Sequence, residues 1–222
     1  MVKNLVKHIV ANTYRPFMVK YLSKTRWYRY KNIRLEIPPG VFHPGFFFST
    51  QLLLKTVNNL PLEQKRFLEL GCGSGLIAIV AANKDAIVTA TDINPFVVDQ
   101  LKKNAALNDV QLSIIQSDLF RDIPKQPFDV IAINPPYYKK DPQTPKDHAW
   151  YCGENGEYFE GLFTQLGDFI HADTNALMVL FDGCDMDMIL SIAVKHRYRL
   201  NPVLAKKNIL EENYVFRIEK IN

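Results

Sequence analysis

The sequence predicts an α/β fold, a mostly parallel sheet with helices on both faces. Three observations carry that prediction. From residue 66 to residue 196, short β-branched or apolar runs alternate with stretches of helical length. A glycine-rich turn, Gly71-Cys72-Gly73-Ser74-Gly75, joins the first of these strands to a helix. Asp92, Asp118 and Asn134 then fall at the carboxyl ends of successive strands, where such sheets bind their ligands.

The elements follow in order. The basic, aromatic residues 1–40 are expected to form a separate lead segment, partly helical, and residues 41–222 the α/β domain. Ile37-Pro38-Pro39-Gly40 punctuates the join. An apolar pattern from Phe46 to Val57 predicts a helix capped by Ser49 or Thr50. Arg66–Leu70 is a short buried strand that runs through the glycine turn into a helix ending at Ala82. Ile87–Thr91 is a β-branched strand closed by Asp92. Asn94 then caps a helix to Leu107, with Pro95 at its first position, where the missing N–H costs nothing. Gln111–Gln116 and Phe128–Ile133 are the third and fourth strands. A helix over Glu157–Ile170, a strand over Ala176–Phe181 and a helix over Met186–His196 follow. Tyr198–Leu204 and Tyr214–Ile218 read as a closing hairpin-like pair.

Composition bounds the function. The 222 residues are 47% hydrophobic and 23% charged, enough for one sizeable core. No apolar run reaches the length of a membrane span, and no signal-peptide block opens the chain, so a cytoplasmic protein without a membrane partner is expected. Cys72, Cys152 and Cys184 form no CxxC pair, and the five histidines form no HExxH or HxxxH, so reduced thiols and no metal are expected. The net charge of +4 is lopsided. Lys3, Lys7, Arg15, Lys20, Lys24, Arg26, Arg29, Lys31 and Arg34 precede Pro38, opposed only by Glu36 and interleaved with Trp27, Tyr28 and Tyr30. That pattern suits either an RNA-facing surface or a solvated face with packing aromatics.

The motifs carry the chemistry. Glycines in the Glu69–Gly75 turn let backbone pass close to a ligand and present N–H groups at a helix N-terminus. The spacing is GxGxG, with Leu76 where a dinucleotide site would place its third glycine. Glu69 can orient the loop or meet a ligand ammonium. Asp92 can accept both hydroxyls of a ribose. Asp118 can accept an adenine N–H while Leu119 packs on the ring. In Asn134-Pro135-Pro136-Tyr137 the two prolines fix φ and remove two donors. The turn then offers acceptors only, the Asn134 side-chain oxygen and a backbone carbonyl expected at Pro135. Two acceptors can hold both hydrogens of a planar –NH2 and orient its nitrogen for attack, with Tyr137 stacked on the plane.

On these residues the chain resembles the class I S-adenosylmethionine (SAM)-dependent methyltransferases. Within them it is similar to the HemK/PrmC group of protein-glutamine N5-methyltransferases and their small-methyltransferase relatives. Asp92-Ile93-Asn94-Pro95, Asn104, Asp118-Leu119-Phe120 and Trp150–Gly156 match as well, and Val41–Pro44 resembles the family's lead into its first helix. The resemblance implies a Rossmann-like, seven-stranded sheet with an antiparallel last strand. It implies SAM held by Glu69, Gly71, Cys72, Gly73, Gly75, Asp92, Ile93, Asp118, Leu119 and Asn134, with catalysis at Asn134, Pro135, Pro136 and Tyr137. It also implies a protein substrate, the glutamine amide of a peptide release factor. The chain departs from the family pattern at Cys152, which replaces the first glycine of a pair, and at Gly45 and Phe46–Phe48, where an acidic residue is common. An adenine-N6 methyltransferase on tRNA, rRNA or DNA is the alternative, because adenine also presents a planar –NH2. Trp150–Gly156 favours the protein and the basic segment the nucleic acid. A SAM-binding subunit without activity is a third reading, opposed by the intact Asn134 and Tyr137.

Overall fold

The computed structural model describes residues 20–209 and 211–221. The expectations for Lys3, Lys7 and Arg15 lie outside these residues. The strands are β1 (Arg26–Tyr30), β2 (Ile33–Ile37), β3 (Arg66–Leu70), β4 (Ile87–Asp92), β5 (Ser113–Gln116), β6 (Phe128–Ile133), β7 (Ile170–Phe181), β8 (Tyr198–Lys207) and β9 (Glu212–Lys220). The helices are α1 (Phe48–Asn58), α2 (Leu76–Ala82), α3 (Pro95–Leu107), α4 (Glu157–Gln165) and α5 (Met186–Lys195).

Seven strands form one sheet in the order β5-β4-β3-β6-β7-β9-β8. β3 through β7 pair in parallel, and β9 lies antiparallel to both β7 and β8. The inner strands read as continuous apolar runs because both faces are covered. Alternate residues serve opposite cores. Phe67, Val130, Ala132, Leu177 and Val179 join the cluster beneath α1 and α2. Leu68, Ile131, Ile133, Met178 and Leu180 join the cluster with Phe159, Phe163 and Ile189 from α4 and α5. Pro202 is tolerated because β8 is an edge strand, and the pairing shifts register beside it. Among the described residues no helix is long and apolar enough to cross a membrane.

Residues 26–37, expected to be partly helical, form an antiparallel hairpin instead. The alternation there has period two: Ile33, Leu35 and Ile37 are buried while Trp27, Arg29 and Arg34 are exposed. The hairpin packs into the first core, which contains all three of those aliphatic residues. Among the described residues the outer edge of β2 meets no strand. A ladder of amide side chains from α3 and its C-cap Asn108, spaced by one helical turn, occupies it. Asn104 accepts from the Glu36 N–H at 2.9 Å and donates to the Glu36 carbonyl at 3.1 Å. Asn108 pairs with the N–H and carbonyl of Arg34 in the same way, at 2.9 and 2.7 Å. Gln100 adds a donor to the Glu36 carbonyl at 3.0 Å.

Other boundaries move. Neither Ser49 nor Thr50 caps α1: Phe47 is its N-cap and makes no side-chain bond, and both polar residues are buried within the first turn. The helix expected over Glu157–Ile170 tightens into a 3-10 turn at Leu166–Phe169, and Ile170 already belongs to β7. β7 therefore begins six residues earlier than the apolar run Ala176–Phe181 suggested, since its first half is polar and only half covered. The Asn94 cap is as expected, its side chain accepting from the Phe96 N–H at 3.1 Å with Pro95 behind it.

Candidate active site

The chain runs from β3 outward to β4 and β5, then crosses back to place β6 on the other side of β3. Strand order reverses there, and the crevice at that point is where open α/β sheets bind ligands. An open-mouthed cavity lies at these carboxyl ends. Its lining includes Glu69, Gly71, Cys72, Gly73, Asp92, Ile93, Asp118, Leu119, Asn134, Pro135, Pro136 and Tyr137. Of the residues expected from sequence, Gly75 alone is not in the lining.

The turn after β3 explains that exception. The Cys72 N–H donates to the Thr91 carbonyl at 2.8 Å, and the Gly75 N–H to the Cys72 carbonyl at 2.8 Å, so the loop is pinned to β4 and closed on itself. Gly75 is the N-cap of α2 at φ +80°, and a Cβ there would overlap Leu101 Cδ1. It is a packing and conformational glycine. Gly71, at φ +74°, has open space where its Cβ would stand, and that space is cavity.

Two carboxylates face this turn. Glu69 is buried, and its Oε2 accepts from the Ala78 N–H at 2.7 Å, tying β3 to the first turn of α2. Burial pushes its carboxyl up to about 8, and the nearby charge of Asp92 adds to the rise. Asp92 accepts from the Gly73 N–H at 3.1 Å and the Asn94 N–H at 3.0 Å. Its carboxyl is also raised by burial, against those two bonds and the charge of His148. Asp92 thus braces the glycine turn, and its remaining lone pairs face the cavity. The glycine turn carries no basic side chain, and two shielded carboxylates beside it favour a cationic ligand.

Asp118 and Leu119 sit at the far end. Asp118 is partly exposed and pairs with Arg121 at 3.1 Å. Leu119 has φ +53°, held by Ser117, whose hydroxyl donates to the Leu119 carbonyl at 2.8 Å. The side chain of Leu119 reaches Gly161 of α4, where an added Cβ would stand 2.7 Å from it.

Asn134 follows β6 directly. Its Nδ2 donates to the Thr50 hydroxyl at 3.3 Å, which leaves Oδ1 as the atom free to accept. Pro135 and Pro136 are buried. Tyr137 packs edge-on against Tyr138 at 5.0 Å and tilted against Phe181 at 4.8 Å, and burial raises its hydroxyl. The Trp150–Gly156 stretch docks on the same loop. The Tyr138 N–H donates to the Trp150 carbonyl at 3.0 Å, and the Cys152 N–H to the Tyr138 carbonyl at 3.0 Å. Phe42 stacks on Phe47 at 4.2 Å, and Trp150 leans on both at 5.5 and 5.3 Å, forming an aromatic rim above the turn.

Sequence reasoning missed Thr50, Lys146, His148 and Tyr158 as site residues, and reached Phe42 only through the resemblance of Val41–Pro44; all of these line the cavity. Thr50 was read as a cap because its position near a helix start is the usual place for one. Nothing local signals Lys146, His148 and Tyr158, which arrive from segments 71 to 83 residues beyond the glycine turn in sequence. Asn104 was noticed only through resemblance. Its buried amide also donates to the Ser74 carbonyl at 3.1 Å, so one side chain couples the glycine turn to the hairpin.

Comparison with known proteins adds the following. A family model described as methyltransferase small domain matches residues 32–150. A relative from Methanocaldococcus jannaschii, provisionally named a protein N5-glutamine methyltransferase, is 43% identical over 108 residues, 48% of this chain and 52% of the relative. Ribosomal RNA small subunit methyltransferase C of Hamiltonella defensa is 30% identical over 119 residues, 53% of this chain and 35% of that protein. The matches therefore span between about a third and a half of these curated relatives. The structure of the T. thermophilus 16S rRNA N2 G1207 methyltransferase with AdoMet and guanosine superposes with a TM-score of 0.63 at 16% identity. That superposition covers 90% of this chain and 50% of the other.

Proposed function

This chain belongs to the methyltransferase small domain family, and from that premise we propose that it is a SAM-dependent N-methyltransferase acting on a protein glutamine amide. SAM is the cofactor of this family, and the cavity fits it. SAM carries a sulfonium and an ammonium, and the fold shields Glu69 and Asp92 beside an open turn with little positive charge of its own. Glu69 would meet the cationic end, Gly71 and Gly73 the close approach of backbone, Asp92 the ribose, and Asp118 and Leu119 the adenine. Bound SAM supplies the electrophilic methyl carbon.

The observation that carries the reading is the pinned Asn134. Thr50 holds the amide nitrogen, so the oxygen is presented as acceptor. The two prolines that follow offer no N–H that could compete for it. Asn134 Oδ1 and the Pro135 carbonyl would each accept one hydrogen of the substrate –NH2. They would point its lone pair along the line of transfer and stabilise positive charge as it develops on nitrogen. Tyr137 packs beside the amide plane. The surplus proton leaves to water after transfer, and no strong base is required.

The protein amide is preferred over a nucleobase because Trp150–Gly156 docks directly on the loop that carries Asn134, and because of the 43% identical relative. The implied partner is a peptide release factor. An exocyclic amine of RNA or DNA is the second reading, favoured by the ribosomal RNA relative. Tritiated SAM, the protein and a cell lysate separate the two. Label should be released by protease as N5-methylglutamine and survive nuclease. Label recovered only as a methylated purine overturns the glutamine reading.

A further inference from the structure

We propose that the outward face of the β1–β2 hairpin is a docking surface for single-stranded RNA, separate from the acceptor pocket. Pairing across the hairpin places Trp27 opposite Glu36 and Arg29 opposite Arg34. Trp27 is 60% exposed, which leaves its indole open to stacking. The Arg34 guanidinium lies 5.6 Å from the centre of its ring. Like charges directly opposite on a sheet repel, yet among the described residues neither Arg29 nor Arg34 has a carboxylate partner, and Glu36 is the one acid of the two strands. Arg26 is not part of the surface. It lies on the inner face, with its guanidinium over Tyr21 at 3.9 Å and its Nε on the Tyr21 carbonyl.

An aromatic face beside unneutralised guanidinia is what single-stranded nucleic acid requires: stacking is tolerant of sequence, and arginines hold phosphates. The same charge continues around the tip. Lys31 lies 5.6 Å from the Tyr30 ring, and Tyr30 opens a shallow groove that Lys55 and Lys206 line. At the other end, Pro38 and Pro39 lead from the hairpin to Gly40 on the rim of the catalytic cavity, with the Lys146 side chain lying against it. A strand seated on the hairpin would therefore reach the mouth of the cavity without entering it. An acidic peptide could satisfy the arginines but would gain less from a free indole face, so RNA is the occupant the surface favours. The inference stands whether the acceptor nitrogen is on protein or on nucleic acid.

The test is equilibrium binding of a fluorescein-labelled 12-residue oligouridylate to the full chain, read by anisotropy against salt concentration. Binding is expected, with a negative log–log slope. Trp27→Ala should weaken it about tenfold or more, and Trp27→Tyr should restore most of the loss. Arg29→Gln with Arg34→Gln should flatten the slope by about 1.4, two phosphate contacts on a single strand. Lys125→Gln, which removes a distant lysine already paired with Asp168 at 2.6 Å, should change nothing. Melting temperatures of the variants, whose changed side chains are exposed, should match the parent and exclude misfolding. Absence of RNA binding overturns the proposal, as does binding that the hairpin variants leave unchanged. So does a labelled polyglutamate 12-mer that binds as tightly with the same sensitivity to Trp27→Ala, which would make the face a site for acidic protein.

Discussion

Replacing Glu69 by Gln tests the electrostatics of the cofactor site through stability alone. Glu69 is 6% exposed, and burial carries its carboxyl from 4.5 to about 8 in the folded chain. A displacement of that size corresponds to about 5 kcal/mol against ionisation in the protein without ligand. Between pH 4.5 and about 8 the unfolded chain has lost this proton while the folded chain keeps it. Stability from this group is therefore fully present below pH 4.5 and is lost as the pH rises through about 8. Gln resembles the protonated acid, keeps an oxygen for the Ala78 N–H, and does not titrate. Its added N–H costs about 1–2 kcal/mol if it finds no acceptor. In urea unfolding of the ligand-free protein at pH 5, 6.5 and 8.5, the wild type should lose about 3–5 kcal/mol relative to Glu69→Gln across the series. SAM affinity at pH 8.5, where the wild-type carboxyl is ionised, should fall in the same variant, because a neutral amide does not answer a cation. A difference between the two proteins that stays within about 0.5 kcal/mol at every pH would refute the reasoning.

Four further outcomes follow from named contacts. Asn134→Ala should lower kcat about a hundredfold with SAM affinity kept, and Thr50→Val should lower it about tenfold by releasing the amide to turn, both read by single-turnover methyl transfer and calorimetry. Asn104→Ala should destabilise by about 2–4 kcal/mol in denaturant, since it strands the Glu36 N–H and the Ser74 carbonyl together, and a loss below about 1 kcal/mol would disprove the coupling of hairpin to turn. Gly75→Ala should cost about 2 kcal/mol or more in thermal unfolding, from positive φ and overlap with Leu101, even though Gly75 does not line the cavity.

Much of the fold was legible because the elements around the sheet are specified locally. β3, β6 and the Asn94-capped α3 fall where their patterns place them, each being a short apolar run or a cap signature with a sharp polar stop. The places that misled are those where a distant neighbour decides. The first half of β7 is polar and was invisible until β6 stood beside it, with the Thr174 hydroxyl donating to the Phe128 carbonyl at 2.7 Å. Residues 26–37 alternate with period two, but the alternation was hidden by reading basic residues as a run rather than by position.

The sequence alone determined the alternation of strand and helix, the glycine turn, and the polar residues that close each strand. These depend on residue types and spacings a few positions apart: glycines that permit positive φ, prolines that remove donors, and apolar runs that need cover on both faces. Only the tertiary structure decided which atoms meet. It withdrew Gly75 from the cavity, turned Thr50 from an expected cap into the partner of Asn134, 84 residues away, and set Asn104 across the edge of β2. Hydrogen-bond partners across such distances are chosen by sheet order and helix packing, and neither is written in the local pattern of any one segment.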